Sequence, residues 1–325
     1  MLVGAVDGGG TKTKAVIGDD SCTILSEATA GCGNHQVCGV QQSVTNVGLA
    51  LQTALAKLGK SERDVTYVHY SLAGADRPED MDLLRDPLQN LGFARWGLTS
   101  DAWSSLRLGT DQGNGIGIVC GTGTNAVGRN AFGNEIQVGG FGYLLGDRAG
   151  GEALARCAFH TAVRSFEGRE EKSLLTELLP LSFGKDNMMD LIQLALDEGW
   201  ETVPASLAEI VHSAADQGDV VSISLLQNMG LELGNAAVAV FRKLGGWPAG
   251  VVVPVVLTGS IVQSGRNKDL LAKLESVVTQ SIPNADLRIP TFSPVMGALM
   301  TACDSVGLNG LSPAWDRVSD ILNKH

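Results

Sequence analysis

Residues 7–13 read Asp-Gly-Gly-Gly-Thr-Lys-Thr and follow residues 2–6, which are apolar and small enough for a buried strand. Gly8, Gly9 and Gly10 have nothing to pack, so a turn made of them lowers stability unless close approach to a ligand requires it. Glycines between two strands let backbone N–H groups come near phosphate oxygens, while Thr11, Lys12 and Thr13 add hydroxyl donors and a positive charge. The carboxylate of Asp7 suits a Mg²⁺ ion, bound through water, that offsets phosphate charge. A plain glycine hairpin with Asp7 capping its turn would use the same residues. The pattern is neither the helix-opening G-x-G-x-x-G nor G-x-x-x-x-G-K-[ST], so a nucleotide site here is of another kind.

A second turn, Gly121-Thr122-Gly123-Thr124, repeats that chemistry between strands expected at 116–120 and 125–128. One such turn is weak evidence; two, each opening one half of the chain, point to a polyphosphate clamped between two lobes. A third element is the apolar run 251–257, which breaks at Thr258-Gly259-Ser260. Its bare backbone suits a nucleoside, although any strand-to-helix turn needs similar residues. Asp101 precedes the expected helix 102–108, where an aspartate can be a general base or simply an N-cap.

The elements that must position these residues are legible in outline. Strands expected at 2–7, 13–18 and 23–28 form an antiparallel meander, and another strand follows at 65–72. Apolar residues at 40, 44, 47, 51, 55 and 58 recur in steps of three and four, the one-faced pattern of an amphipathic helix. Helices dominate 150–244, notably 219–244. Residues 313–323 predict a terminal helix, with Ser312 as cap and Pro313 at its first position. The 325 residues suit two lobes, and 44% hydrophobic with 18% charged residues can bury a core. A net charge of −11 argues against a broad nucleic-acid surface. No apolar run approaches the ~20 residues of a membrane span. The six cysteines include no C-x-x-C pair, and the economical reading is a reduced, cytoplasmic protein.

The stretches DGGGTKT, Ser100-Asp101-Ala102, GTGTNAVGR at 121–129, GGFGYLLGD at 139–147 and LTGSI at 257–261 together resemble the BadF/BadG/BcrA/BcrD ATPase family. The likeness is greatest to its N-acetylglucosamine kinase branch, within the superfamily of actin-like ATPases, sugar kinases and heat-shock chaperones, and spans nearly the whole chain. It implies an α/β, two-lobed actin-like (ribonuclease H-like) fold, each lobe a mixed five-stranded sheet flanked by helices. Residues 1–112 with 311–325 would form the first lobe and 113–310 the second.

The resemblance further implies ATP and Mg²⁺, with a small amino sugar as acceptor and a homodimer as the assembly. Gly8, Gly9, Gly10, Thr11, Lys12, Thr13, Gly121, Thr122, Gly123 and Thr124 would hold phosphates. Gly259 and Ser260 would border adenosine, Asp7 would hold the metal through water, and Asp101 would be the base. Asn34 and Asp147 are the further sugar contacts implied. The expected reaction is phosphorylation of the 6-hydroxyl of N-acetylglucosamine, with glucosamine or N-acetylmuramic acid as alternative acceptors. Relatives commonly carry G-D-E-G-S where this chain reads Gly146-Asp147-Arg148-Ala149-Gly150, and an inward Arg148 would suit an anionic sugar. Two other classes compete: an ATP-driven activator holding an iron–sulfur cluster, and a sensor without turnover. The activator's GGQD-type motif is replaced by Gly139-Gly140-Phe141-Gly142, and Cys120 inside a phosphate turn is a poor cluster ligand.

Overall fold

The computed structural model describes residues 1–308 and 312–323. The first sheet has five strands in the order β3-β2-β1-β4-β5. Strands β1 (Leu2–Gly8), β2 (Thr13–Gly18) and β3 (Ile24–Ala30) form the antiparallel meander, with β4 (Val65–Leu72) parallel to β1 and β5 (Trp96–Thr99) parallel to β4. The second sheet repeats this plan with β6 (Gly115–Cys120), β7 (Thr124–Arg129), β8 (Glu135–Gly139), β9 (Val253–Thr258) and β10 (Ala285–Pro290). The central strand of each sheet is apolar on both faces because helices cover both. In β1, Val3 and Ala5 belong to the cluster around Leu299, whereas Val6 faces the side of Val47 and Leu51. The period-two alternation thus feeds two separate cores from one strand.

The second sheet carries a sixth strand, β11 (Trp315–Arg317), where five were expected. It pairs antiparallel with β10, and the short helix Val318–Leu322 follows it, so the predicted helix over 313–323 holds only in its last part. Three contacts fix this edge strand: Arg288 stacks over Trp315 at 4.1 Å, Arg266 pairs with Asp316 at 2.8 Å, and Arg317 pairs with Asp286 at 3.1 Å. Val318 and Ile321 are buried in the second lobe's core. The chain end therefore packs on the second sheet, a correction to its expected place in the first lobe; residues 311, 324 and 325 of that expected segment lie outside the described residues. The helix returned to the first sheet is instead Pro294–Ser305, which packs on β1, β4 and helix Asp101–Leu108. Its face of Val295, Ala298, Leu299 and Ala302 completes the cluster under Val3 and Ala5.

The fully reduced state expected of the cysteines is also corrected. Cys22, in the β2–β3 turn, is disulfide-bonded to Cys303 of that returning helix, while Cys32, Cys38, Cys120 and Cys157 are free. Cysteine spacing could not show this, because the partners lie 281 residues apart. The bridge ties the returning helix to the first sheet, and Cys22→Ser is expected to destabilise the oxidised protein by about 2–5 kcal/mol, read from denaturant unfolding with and without reductant. Equal unfolding midpoints in the two conditions for the wild-type protein would count against a stabilising role.

Candidate active site

Parallel neighbours bring the carboxyl ends of β1, β4, β5, β6 and β9 to the gap between the sheets, where open α/β sheets place ligands. A cleft of about 450 Å³ opens there. Asp7, Gly9, Gly10, Thr11 and Lys12 line it from the first hairpin, and Gly121, Thr122, Gly123 and Thr124 from the second. Gly259, Ser260, Asn34 and Asp101 also line it. The structure thus gathers residues spread over more than 250 positions of sequence.

Three predicted residues lie elsewhere. Gly8 and Thr13 are buried beneath the hairpin, and Thr13 Oγ1 donates to the Gly31 carbonyl at 2.8 Å. That hydroxyl therefore anchors the loop carrying Asn34; Gly33 N and Asn34 N donate to Gly9 O at 2.9 and 3.2 Å in the same junction. A Cβ on Gly8 would come within 2.6 Å of Leu72 Cδ2, so the glycine is demanded by packing below the turn. Asp147 closes its own loop: its Oδ2 accepts from Phe141 N at 2.7 Å and Gly142 N at 2.6 Å, and it lines side recesses next to the cleft. Arg148 is exposed and shares one of those recesses with Glu232 and Asn235; it does not line the cleft.

The second hairpin is held from below by helix Gly151–Phe166, whose Gly151 N and Glu152 N donate to Gly121 O at 2.8 Å and Thr122 O at 2.9 Å. The first N–H groups of this helix thus serve the hairpin and do not point at a ligand. Beside it, Gly259 (φ +96°) abuts the end of β6 so closely that a Cβ would sit 2.3 Å from Cys120 O. The two turns are neighbours because β6 and β9 are paired, Val119 opposite Thr258.

Asp101 is the first residue of helix Asp101–Leu108, and Ser100 occupies the cap position. Backbone N–H groups of Asp101 and Ala102 at the helix start donate to the Asp101 carboxyl, which also lines the cleft, so an end-of-helix contact and a cleft role coexist. Burial, then the charges of Asp7 and Asp76, push Asp101 up to about 7. Burial pushes Asp7 up to about 6 against the opposing pull of Lys12 and Lys14. Asp76 is raised by burial, with a hydrogen bond from Asn125 opposing. Three desolvated carboxylates face a cleft with glycine hairpins on two sides; among the described residues no three acidic, histidine or cysteine side chains converge to ligate a metal directly, so a hard cation here would be held through water and phosphate. A carboxyl poised near neutrality can also accept a proton from a hydroxyl.

Sequence reasoning left Asp76 and Asn125 without a part. The stretch 71–77 reads either, by resemblance, as a family loop that approaches the sugar or as a surface turn, with no role singled out for Asp76, and Asn125 reads as the start of the returning strand 125–128. The available signal was topological: Asp76 follows the carboxyl end of β4 just as Asp101 follows that of β5.

The model of the BadF/BadG/BcrA/BcrD ATPase family matches residues 3–302. The chain belongs to this family. An N-acetylmuramic acid/N-acetylglucosamine kinase of Clostridium acetobutylicum is 31% identical over 242 residues, 74% of this chain and 79% of that protein. The N-acetyl-D-glucosamine kinase of Dictyostelium discoideum is 28% identical over 315 residues, covering 92% of this chain and 97% of its own. Among solved structures, a provisionally named N-acetylglucosamine kinase of Chromobacterium violaceum superposes with a TM-score of 0.69 at 26% identity, over 92% of this chain and 98% of that one. A ROK family glucokinase of Streptomyces griseus, solved with glucose and AMPPNP, has the same fold, with a TM-score of 0.61 at 19% identity over 93% of this chain and 98% of its own. The two-lobed actin-like architecture is therefore that of this BadF/BadG/BcrA/BcrD family member. Among its described residues no helix is long and apolar enough to cross a membrane.

Proposed function

We propose that this family member is an ATP-dependent sugar kinase that phosphorylates the 6-hydroxyl of N-acetylglucosamine. The observation that carries this reading is Asp101, raised to about 7 on the floor of a cleft bordered by two glycine-threonine hairpins. The kinase relatives with amino-sugar names support the acceptor class.

A sugar hydroxyl is a poor nucleophile. Asp101 accepts its proton as the oxygen attacks the γ-phosphorus, and the bond to the ADP oxygen breaks in line. Such a base contributes roughly 10²–10⁴ in rate. The backbone N–H groups at 10–12 and 122–124, with Lys12, hold the phosphates, while Gly9 N and Gly121 N close their own turns by donating to Lys12 O and Gly123 O, and Gly259 with Ser260 borders the adenosine. Asp7 would hold a Mg²⁺ ion through water, and the ion would supply positive charge that offsets the phosphates. Asn34, whose Oδ1 caps the short helix His35–Cys38 by accepting from Gln36 N at 2.9 Å, contacts the sugar through its Nδ2, whereas Asp147, engaged in its own loop, takes part only after that loop rearranges. Closure of the lobes excludes water as a competing acceptor.

ADP release with Mg²⁺-ATP against N-acetylglucosamine, N-acetylmuramic acid, glucosamine and glucose tests the reading. N-acetylglucosamine should give the largest kcat/KM. N-acetylmuramic acid is the second acceptor to weigh, because the clostridial relative is named for both sugars. Turnover independent of sugar would favour an activator, and no turnover a sensor. Because Asp101 must be ionised to act, kcat/KM for the sugar should climb about tenfold per unit of pH below its midpoint and level off above about 7. A flat profile between pH 5.5 and 8 would remove Asp101 as the base.

A further inference from the structure

The loop 31–39, which brings Asn34 to the cleft, reads Gly-Cys-Gly-Asn-His-Gln-Val-Cys-Gly and holds two free thiols. Cys32 precedes Asn34, and Cys38 ends the one-turn helix His35–Cys38 that Asn34 caps. The turn brings both sulfurs onto one atom: Cys32 Sγ and Cys38 Sγ donate to Asn34 O at 3.5 and 3.3 Å. Burial, and then the Cys32 thiol beside it, push Cys38 up to about 11. Both side chains are half-buried, whereas Cys120 is buried and the bonded Cys22 and Cys303 are each 1% exposed. The thiol bonds are also redundant. Asn34 O accepts from Val37 N at 3.0 Å and Cys38 N at 3.1 Å. Cys32 O, the second acceptor of the Cys38 thiol at 3.4 Å, accepts from Asn46 Nδ2 at 2.7 Å. Loss of both S–H protons leaves neither carbonyl without a donor, so oxidation avoids the usual penalty of an orphaned acceptor.

We propose that Cys32 and Cys38 are a reversible redox pair, which hydrogen peroxide converts into a disulfide that straps the Asn34 loop and weakens sugar binding. The effect on sugar rests on the kinase reading; the oxidation itself does not. The Cys32 thiolate attacks one peroxide oxygen and the O–O bond breaks. The hydroxide released takes up the proton Cys32 has lost, and Cys32 is left as a sulfenic acid. Cys38, which keeps its proton at neutral pH, supplies the second sulfur. It attacks the Cys32 sulfur, the S–O bond breaks, and the leaving hydroxide departs with the Cys38 proton as water. Two thiols thus give two electrons to one peroxide, and the products are one disulfide and two waters. An S–S bond of about 2.05 Å is far shorter than the contact between two thiols, so the loop ends must be drawn together. The root of the loop stays fixed, because Gly33 N and Asn34 N donate to Gly9 O and Ser43 Oγ donates to Gly33 O at 2.7 Å. The turn His35–Cys38 takes up the movement, and Gly39 (φ +80°), with open space around its Cβ, lets it swing. Gln36 and Val37 of that turn line the cleft, and the Asn34 amide turns with them because Gln36 N holds its Oδ1 at 2.9 Å.

Folded full-length protein is treated with hydrogen peroxide, its remaining thiols are blocked with iodoacetamide, and its peptides are mapped by mass spectrometry without reductant. A linkage between residues 32 and 38 should form. In the same samples kcat/KM for N-acetylglucosamine should fall at least about tenfold, chiefly through KM, on the order of what an ångström-scale misplacement costs, and dithiothreitol should restore it. Cys32→Ser keeps a donor for Asn34 O, so it should match reduced wild type within about threefold and ignore peroxide. Cys38→Ser should stop at the Cys32 sulfenic acid, trapped there by dimedone. Cys157→Ser, which removes the half-buried thiol of helix Gly151–Phe166, should be inhibited as wild type is. No linkage, a linked protein with unchanged kcat/KM, or inhibition that survives in Cys32→Ser or disappears in Cys157→Ser would overturn the switch. Should the wild type show no sugar-dependent turnover, the kinase reading fails, and the peptide map judges the thiol pair alone: absence of the 32–38 linkage would refute it.

Discussion

Asp101→Asn is expected to lower kcat by about 10²–10⁴ while the dissociation constant for ATP stays near the wild-type value. An amide keeps the shape and can still hydrogen-bond, but it cannot take the hydroxyl proton. The same substitution should make the protein more stable. In the folded chain the Asp101 carboxyl titrates at about 7, above its ordinary 3.8, because burial and then Asp7 and Asp76 penalise its charge. The folded state therefore holds this proton more tightly than the unfolded state. The associated stability is fully present below about pH 4 and is lost as pH rises through about 7. A neutral amide avoids that loss, so the variant should exceed wild type by on the order of 2–4 kcal/mol at pH 8, and by progressively less toward pH 4. Kinetics at saturating ATP and chemical unfolding at pH 8 and 5 give both readouts. A variant that is less active but no more stable at pH 8 would mean that Asp101 is not electrostatically strained, and undiminished turnover would mean that the base lies elsewhere.

Gly259→Ala should impair ATP use and stability together. The residue holds φ +96°, a region unfavourable for any side chain, and its Cβ would meet Cys120 backbone atoms at 2.3 and 2.5 Å. Backbone cannot rotate aside as a flexible side chain can, so the β9 turn must move away from the end of β6. That displacement separates Ser260 from Gly121, the groups proposed to border adenosine and phosphate. The expected result is at least a tenfold rise in KM for ATP, on the order of the effect of a misplaced binding loop, and a stability loss of about 2–4 kcal/mol. Gly250→Ala is the control: it shares a positive φ, +79°, but has open space around its Cβ. It should cost about 1–2 kcal/mol and leave ATP kinetics unchanged. Similar KM values in the two variants would show that the close approach at Cys120 does not shape the nucleotide site.

The same physics separates what the chain spells out locally from what it does not. Apolar runs and glycine breaks are local properties, so the residue order alone determined the β1–β2–β3 meander, its echo in β6–β7, the amphipathic helix Val40–Ala56 and the positions of the three glycine turns. Family motifs then identified the fold class and the part of the chain that forms the cleft. Tertiary structure decided the rest. That Thr13 turns inward to Gly31 depends on a loop eighteen residues on. That the end of the chain joins β10, while Pro294–Ser305 returns to β1, depends on which sheet edge and which apolar face remain uncovered after the other elements have packed. The bond between Cys22 and Cys303 follows from that return, because only packing brings the two thiols together. The raised ionisation of Asp101 and Asp7, and the bridge from Asp76 to Asn125, arise from burial and from charges carried by separate strands. Such effects are sums over neighbours in space, and neighbours in space are what the folded chain alone defines.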